Sequence, residues 1–350
     1  MPERLKYACI GAGRIADKKH LDQYSKLNEV EVVAICDPDD NAAQKLASKY
    51  HINHIYEDYH DLFKNHTLDL VSICAPNFLH AQICQDALQA GCHVHCEKPL
   101  ALNAAEVKAI IDAKNKSKRK LMVALNNRFT AEAALIKRMV DSNFFGAIYH
   151  VKCGWERNSG IPGIGKWFTN KELSGGGPLI DLGVHFLDLA LYFMGYPKPF
   201  SVYGATYSNF GAEGSRIKLD YRNVHGGVFN VEDTAVGLIR LVNDATMDIH
   251  FSWAANIERD LKYVELLGAQ GGVSFKNGEI KLYTQKAETC YQLLPDVKTI
   301  PRPQNEFQHF VKCIIEDREP SASSEQAYEL MKIIDALYTS AEIKKEVVLI

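Results

Sequence analysis

No apolar run in these 350 residues approaches the about 18 to 20 needed to cross a bilayer, so no membrane span is expected. Charge of one sign is also lacking. With 40 Lys and Arg against 43 Asp and Glu, the formal net charge is -3, which gives no general attraction to nucleic acid or to an anionic membrane. A small-molecule partner is therefore expected. The one basic run, KNKSKRK at residues 114–120, reads as the solvated end of a helix. A disulfide framework is missing too: the nine cysteines are odd in number and sit mostly inside apolar runs such as YACI, VVAIC and VSICA, as reduced core residues do. The opening MPERLKYACIGAG leaves no room for a secretion signal before the first strand, and a cytoplasmic location is expected. Repeats, low-complexity tracts and Pro/Gly/Ser-rich linkers are absent as well, so a domain boundary can be placed only where the hydrophobic rhythm changes.

A length of 350 residues with 47% hydrophobic residues is enough for two domains with sizeable cores. Short apolar runs at residues 5–10, 30–36, 70–75, 92–96 and 121–125 alternate with helical patterns. This βαβ rhythm predicts a doubly wound parallel sheet with helices on both faces. After residue 125 the rhythm gives way to alternating runs, DTAVGLIRLV, ATMDIHFSWA, KYVELLG, GVSF and EIKLYT, joined by short turns. These predict a large, mostly antiparallel open sheet. The expectation is an α/β protein with one domain over residues 1–125 and a second over 126–350. Two helices close the chain, near residues 304–316 and from a capping box at Ser323 to Gln326.

In YACIGAGRIA, Gly11 and Gly13 follow the first strand and Ala16 takes the third small position, with Arg14 and Ile15 between them. Such spacing serves a tight turn, close approach of backbone to a pyrophosphate, and helix-on-strand packing. The second strand ends at Asp37, where a carboxylate can hold both ribose hydroxyls and repel a 2′-phosphate. NAD is expected, with NADP as the alternative because Arg14 can also lie near the adenine end. A second reading of Asp37 needs only the turn propensity of DPDD. The third strand ends in CAPNFLH, placing Ala75, Pro76, Asn77 and His80 at the carboxyl edge where ligands of such sheets bind. The bland reading is a turn followed by a helix.

The stretch GCHVHCEKPL at 91–100 invites a metal reading, but strand alternation puts Cys92 and Cys96 on one face and His93 and His95 on the other. No metal is expected. Glu97 and Lys98 then emerge at the same carboxyl edge, and Pro99 ends the strand. There Lys98 could serve as proton donor or relay; taken alone, it is a surface lysine in a turn. Farther on, SGGGPLIDLGVHFLDLALYFMG offers a helix almost wholly apolar except for Asp181, His185 and Asp188. Spacings of four and three put these on one face, so that Asp181 can orient His185 as an acid/base pair. For Asp188 a structural role is preferred over a substrate contact. Residues 155–167, WERNSGIPGIGKW, show neither helical nor strand period. Trp155 and Trp167 could stack on a small-molecule ligand or anchor the loop. Asn126, Asn127 and Arg128 begin the second domain as candidate cofactor or substrate contacts.

GAGRIA, the Asp37 strand end, CAPNFLH, CEKPL and GGGPLIDLGVHFLD together resemble the glucose-fructose oxidoreductase and inositol dehydrogenase family, Gfo/Idh/MocA, in order and separation. The resemblance implies a Rossmann domain followed by an α/β domain whose open sheet often forms the oligomer interface, here a dimer or tetramer. It places the family's lysine on Lys98 and its Asp/His pair on Asp181 and His185. The implied reaction is reversible oxidation of a secondary hydroxyl on a sugar, cyclitol or glycoside. Two alternatives stand beside it: an NAD-dependent glycosidase using transient oxidation, and an NAD-binding sensor without turnover. Intact Lys98, Asp181 and His185 weigh against the sensor.

Overall fold

The computed structural model describes residues 4–211, 227–301 and 303–349. It divides into two compact units, Met1–Ala124 with Gln304–Tyr328, and Leu125–Pro303 with Glu329–Ile350. The second domain expected over 126–350 therefore gives back a segment to the first. The reason is packing: in the helix Glu306–Ile315, Phe307 sets its ring edge-on against His20 and Tyr24, and Phe310 lies 5.5 Å from His95.

Unit 1 carries six parallel strands, β1 Leu5–Ile10, β2 Val30–Cys36, β3 His54–Tyr56, β4 Leu70–Ile73, β5 His93–Cys96 and β6 Leu121–Val123, in the order β3-β2-β1-β4-β5-β6. The order reverses between β1 and β4, the point outside whose carboxyl ends such sheets bind ligands. The inner strands β1, β4 and β5 are largely buried, as expected for a parallel sheet covered on both faces, while the edge strand β3 is mostly exposed. Helices Asp40–Tyr50, Asn77–Gln89 and Ala104–Ser117 connect them. Asp39 and Asn103 cap two of these helices through their side chains. The basic run at 114–120 ends helix Ala104–Ser117 with Lys116, Lys118 and Arg119 exposed as expected, but two of its lysines differ. Lys114 and Lys120 are buried rather than solvated, Lys114 pairing with Glu325 at 2.7 Å and Lys120 with Asp317 at 2.9 Å.

Unit 2 is built on nine strands. They are β7 Ile148–Glu156, β8 Pro199–Tyr207, β9 Thr234–Leu241, β10 Thr246–Ser252, β11 Leu261–Gly268, β12 Gly271–Lys276, β13 Glu279–Lys286, β14 Thr289–Leu293 and β15 Val347–Val348. The sheet order is β14-β13-β12-β11-β7-β10-β9-β8-β15, and every neighbouring pair is antiparallel except β7 with β10. Helix Val184–Phe193 packs on β7 and β11. The other face of the sheet exposes Tyr203 (51%), Tyr207 (47%) and Leu238 (43%), with Tyr203 and Leu238 paired across β8 and β9. Among the described residues, no helix is long and apolar enough to cross a membrane. All nine cysteines are free thiols, eight of them buried and Cys290 exposed.

Two of the three glycines before Pro178 answer to close approach. A Cβ at Gly177 would lie 2.0 Å from the carbonyl oxygen of Glu232, and one at Gly176 would lie 2.1 Å from Tyr338 Oη. This lets the Glu232 carboxylate accept from the N–H groups of Gly177 (2.9 Å) and Leu179 (3.2 Å) and from the Tyr338 hydroxyl (2.8 Å). Gly177→Ala is expected to destabilise the protein by about 1–3 kcal/mol, read as a lower urea midpoint at unchanged slope. An unshifted midpoint would show that this contact does not constrain the chain.

Candidate active site

In unit 1 the glycine loop has the shape a dinucleotide requires. Gly11 has φ +102°, and a Cβ there would sit 2.6 Å from the Cys74 carbonyl oxygen. A Cβ on Gly13 would meet nothing within 4 Å, which leaves the loop open on that side. The chain then runs helically over residues 14–24, with a π stretch at Ala16–Leu21, and Arg14 is exposed at its start. Asp37 lies at the end of β2, where its Oδ2 accepts from Ala12 N–H at 2.6 Å and its Oδ1 from Asp39 N–H at 2.8 Å. Its carboxylate is thus fixed both to the glycine loop and to its own turn.

The edge beyond β4 and β5 is tied by buried side chains. His80, expected as a cofactor contact, is 1% exposed, with Nδ1 2.7 Å from Pro99 O and Nε2 2.8 Å from Ala75 O. Both ring nitrogens are engaged by backbone, so His80 is a strut between two loops and its assignment as a ligand contact is withdrawn. Burial lowers its pKa against the pull of the two carbonyls. Asn77 is buried and opens helix Asn77–Gln89, directly after Pro76. Glu97 Oε1 lies 3.0 Å from His20 Nε2, whose Nδ1 lies 2.8 Å from Ser72 Oγ. Glu97 Oε2 accepts from Lys98 N–H at 3.3 Å. Burial alone would raise the Glu97 pKa, but the His20 hydrogen bond and the charges of His20, Lys98 and Lys19 pull it down to about 2. Lys98, half-buried, follows β5, and the Lys98–Pro99 peptide is cis.

The histidines of 91–100 serve the protein interior. His95 is fully buried with Nδ1 2.8 Å from Tyr24 Oη, while His93 Nδ1 accepts from Lys120 N–H at 3.0 Å. Burial, helped by Arg119 and Lys120, brings the His93 pKa down to about 4. Among the described residues, no group of three His, Cys, Asp or Glu is placed to hold a metal ion.

In unit 2, residues 179–193 form one helical run that starts as a π turn, Leu179–Gly183, and continues as Val184–Phe193. Asp181 lies in the π turn and His185 in the α-helix, both half-buried. Asp181 Oδ2 accepts from Nε1 of the fully buried Trp253 at 2.9 Å. Trp155 is on β7 rather than in an irregular loop, which corrects the reading of 155–167 at its first two residues. Its ring centre is 6.1 Å from that of His185 and 5.7 Å from that of Phe186. Arg157 lies over the Trp155 ring at 4.6 Å and Lys262 at 4.1 Å. Asp181, His185 and Trp155 therefore gather with two cations. Trp167 is elsewhere in its surroundings, stacked on Phe168 at 3.9 Å.

Arg128 requires a correction. Its guanidinium is almost wholly buried, with Nε donating to Asp188 Oδ2 at 2.8 Å and Nη2 donating to Asp188 Oδ1 and, at 2.9 Å, to Tyr196 Oη. The group is spent on a buried ion pair, so Arg128 is withdrawn as a substrate contact, and Asp188 has the structural role preferred for it. Asn126 begins the short 3₁₀ turn Asn126–Phe129 that carries Arg128. Sequence reasoning missed Trp253, Glu232, His20 and Lys262. Arg157 was within reach: it lies two residues beyond Trp155, at the end of the strand that carries that ring.

The parallel sheet of unit 1 and its glycine loop are those of an NAD-binding oxidoreductase. Residues 5–125 match the oxidoreductase family with an NAD-binding Rossmann fold, and residues 133–274 match the GFO/IDH/MocA C-terminal domain. The chain belongs to the Gfo/Idh/MocA family. It is 32% identical over 340 residues to the D-glucoside 3-dehydrogenase of Escherichia coli strain K12, covering 97% of this chain and 95% of that one. Its fold superposes on aldose-aldose oxidoreductase from Caulobacter crescentus, complexed with glycerol, with a TM-score of 0.82 at 24% identity over 99% and 100% of the two chains. Levoglucosan dehydrogenase in complex with NADH gives a TM-score of 0.82 at 22% identity, again over 99% and 100%.

Removing the Asp37 charge should relax cofactor choice. Asp37→Ser is expected to raise the NADP-to-NAD ratio of kcat/KM, or of affinities measured by fluorescence titration, by on the order of tenfold. An unchanged ratio would leave Asp37 as a turn residue only.

Proposed function

We propose that this enzyme moves a hydride between NAD and a secondary hydroxyl of a sugar, cyclitol or glycoside. The observation that carries the reading is the carboxylate of Asp181, held by Trp253 at 2.9 Å four residues ahead of His185, whose ring lies 6.1 Å from that of the half-buried Trp155. Similarity to a D-glucoside 3-dehydrogenase along 97% of the chain supports the substrate class. Bound NAD supplies the hydride acceptor or donor. His185 takes the hydroxyl proton as the carbon is oxidised and returns it in the reverse direction, while Asp181 stabilises the imidazolium. Lys98 donates a hydrogen bond to the same oxygen and stabilises its developing negative charge. Gly11, Gly13, Arg14, Ile15 and Asp37 hold the adenosine and pyrophosphate end of the cofactor, with Ala75, Pro76, Asn77, Glu97 and Asn126 lining the remainder. Trp155 offers a ring face to the sugar. Asp37 favours NAD over NADP.

Free thiols throughout the core fit a reducing cytosol as the working compartment. The exposed aromatic face of the nine-stranded sheet fits a homo-oligomer, dimer or tetramer, because contiguous apolar surface of this kind is commonly covered by a partner.

Lys98→Ala and His185→Ala are each expected to abolish NADH formation on a panel of sugars, cyclitols and glycosides, with NAD affinity kept within about threefold. Near-native rates in either variant would remove the assigned role, and sugar release from glycosides without net NADH would replace the dehydrogenase with a glycosidase. For assembly, sedimentation velocity should give a multiple of the 39.2 kDa chain mass. Tyr203→Glu combined with Leu238→Glu should shift it to the monomer. A monomeric wild type would refute the oligomer.

A further inference from the structure

The Asp/His pair has neighbours that oxidation of a neutral sugar leaves without a task. Arg157 and Lys262 both lie against one indole, that of Trp155, at 4.6 and 4.1 Å from its centre, and that ring is 6.1 Å from His185. Lys262 is the cross-strand partner of Trp155 between β11 and β7, so the pairing register itself holds the ammonium there. Two like charges on one ring repel each other. Burial lowers the pKa of Arg157, and both burial and the Arg157 charge lower that of Lys262. Two acids act on them from a distance, Asp181 and Asp260 on Arg157 and Asp260 on Lys262. Neither cation forms an ion pair with a carboxylate among the described residues, and Arg157 Nη1 donates only to Gly160 O, at 3.2 Å. Asp260 Oδ1 is taken by Asn158 N–H at 2.8 Å.

Of the two cations, Lys262 also lines a cavity of about 370 Å³, together with Phe186, Phe275, Asn127, Asn277 and Thr130. Its size falls within the range of about 300–1,000 Å³ typical of small-molecule sites. Phe186 joins it to Trp155 at 5.7 Å. The lining combines aromatic walls, amides and one ammonium, the chemistry of a site for a sugar that bears a negative group.

We infer that Arg157 and Lys262 form a subsite for an anionic substituent, a carboxylate or a phosphate, carried by the substrate. The substrate is then an acidic sugar. Two hydrogen-bond donors of fixed charge would hold the anion while the ring of Trp155 supports the adjoining carbons. The inference deepens the dehydrogenase reading and rests on it for the reaction, but not for the binding.

Two measurements separate these. In the first, tryptophan fluorescence of the whole enzyme is titrated with D-glucuronate, D-glucose 6-phosphate and D-glucose at constant ionic strength, with Trp155→Phe identifying the responding indole among the three tryptophans. At least one anion is expected to bind about tenfold more tightly than glucose, and Arg157→Gln or Lys262→Gln should erase that preference. The preferred anion names the group as carboxylate or phosphate. Equal binding of all three sugars, or a preference that survives both substitutions, overturns the subsite. In the second, kcat/KM for NADH formation is compared between the acidic and neutral sugars, and the acid-to-neutral ratio should fall by about tenfold in either variant. Absence of turnover with every sugar while anion binding persists would refute the dehydrogenase reading and leave the subsite standing.

Discussion

The helical run that carries Asp181 and His185 depends on one buried carboxylate. Glu232 takes hydrogen bonds from two backbone N–H groups at the entry of that run and a third from Tyr338, so the chain can turn into the helix at only one depth. Helix entries leave such N–H groups unsatisfied, and an anion placed there also meets the favourable end of the helix dipole. Burial raises the Glu232 pKa while the three donors draw it back, so the clamp works against desolvation and needs all three partners. Glycine at 176 and 177 is the steric condition for the clamp, since any side chain there would occupy the space of Tyr338 or of the Glu232 backbone. With the entry fixed, Trp253 reaches Asp181, and Trp155 of β7 meets the ring of His185.

Unit 1 follows the same logic with different residues. Its strand ends are held by polar side chains buried behind them, Ser72 and Glu97 through His20, and the Ala75 and Pro99 carbonyls through His80. Each imidazole bridges neighbouring strand ends at the edge where the parallel sheet leaves its backbone ends unpaired. Positions expected to meet ligand are thus divided into those that face the crevice and those that hold the backbone of their neighbours, a distinction that rests on which ring nitrogens are already taken.

Local pattern made much of this legible. Strands over residues 5–10 and 30–36 coincide with β1 and β2 because each is a mostly apolar run that ends at a turn residue, Gly11 or Asp37. The three-residue β3, HIY, is too short to show a period, and it escaped notice. The π turns at Ala16–Leu21 and Leu179–Gly183 were invisible because hydrophobic spacing fits them and an α-helix almost equally over so few residues. What could not be read were pairings across long separations: His20 with Glu97, Arg128 with Asp188, and Asp181 with Trp253, 77, 60 and 72 residues apart. Arg128 shows the cost of that blindness. A lone arginine near a predicted crevice looks like a ligand contact until its buried aspartate is found.

Electrostatics around Lys98 show how one unit controls where its charge sits. Two buried acids lie near each other, Glu97 and Glu306, and their environments drive them in opposite directions. Glu97, with His20 at 3.0 Å and the charge of Lys98 in reach, is pulled down to about 2. Burial pushes Glu306 up to about 8; the Glu97 charge adds to the shift, and Lys19 opposes it. Glu306 Oε2 has no hydrogen-bond partner among the described residues, so its burial outweighs the charge of Lys19 and favours the protonated acid. Were both acids ionised, their repulsion would fall on the segment Glu306–Ile315 that packs behind β5. Protonation of Glu306 leaves the negative charge on Glu97, the residue that directly precedes Lys98.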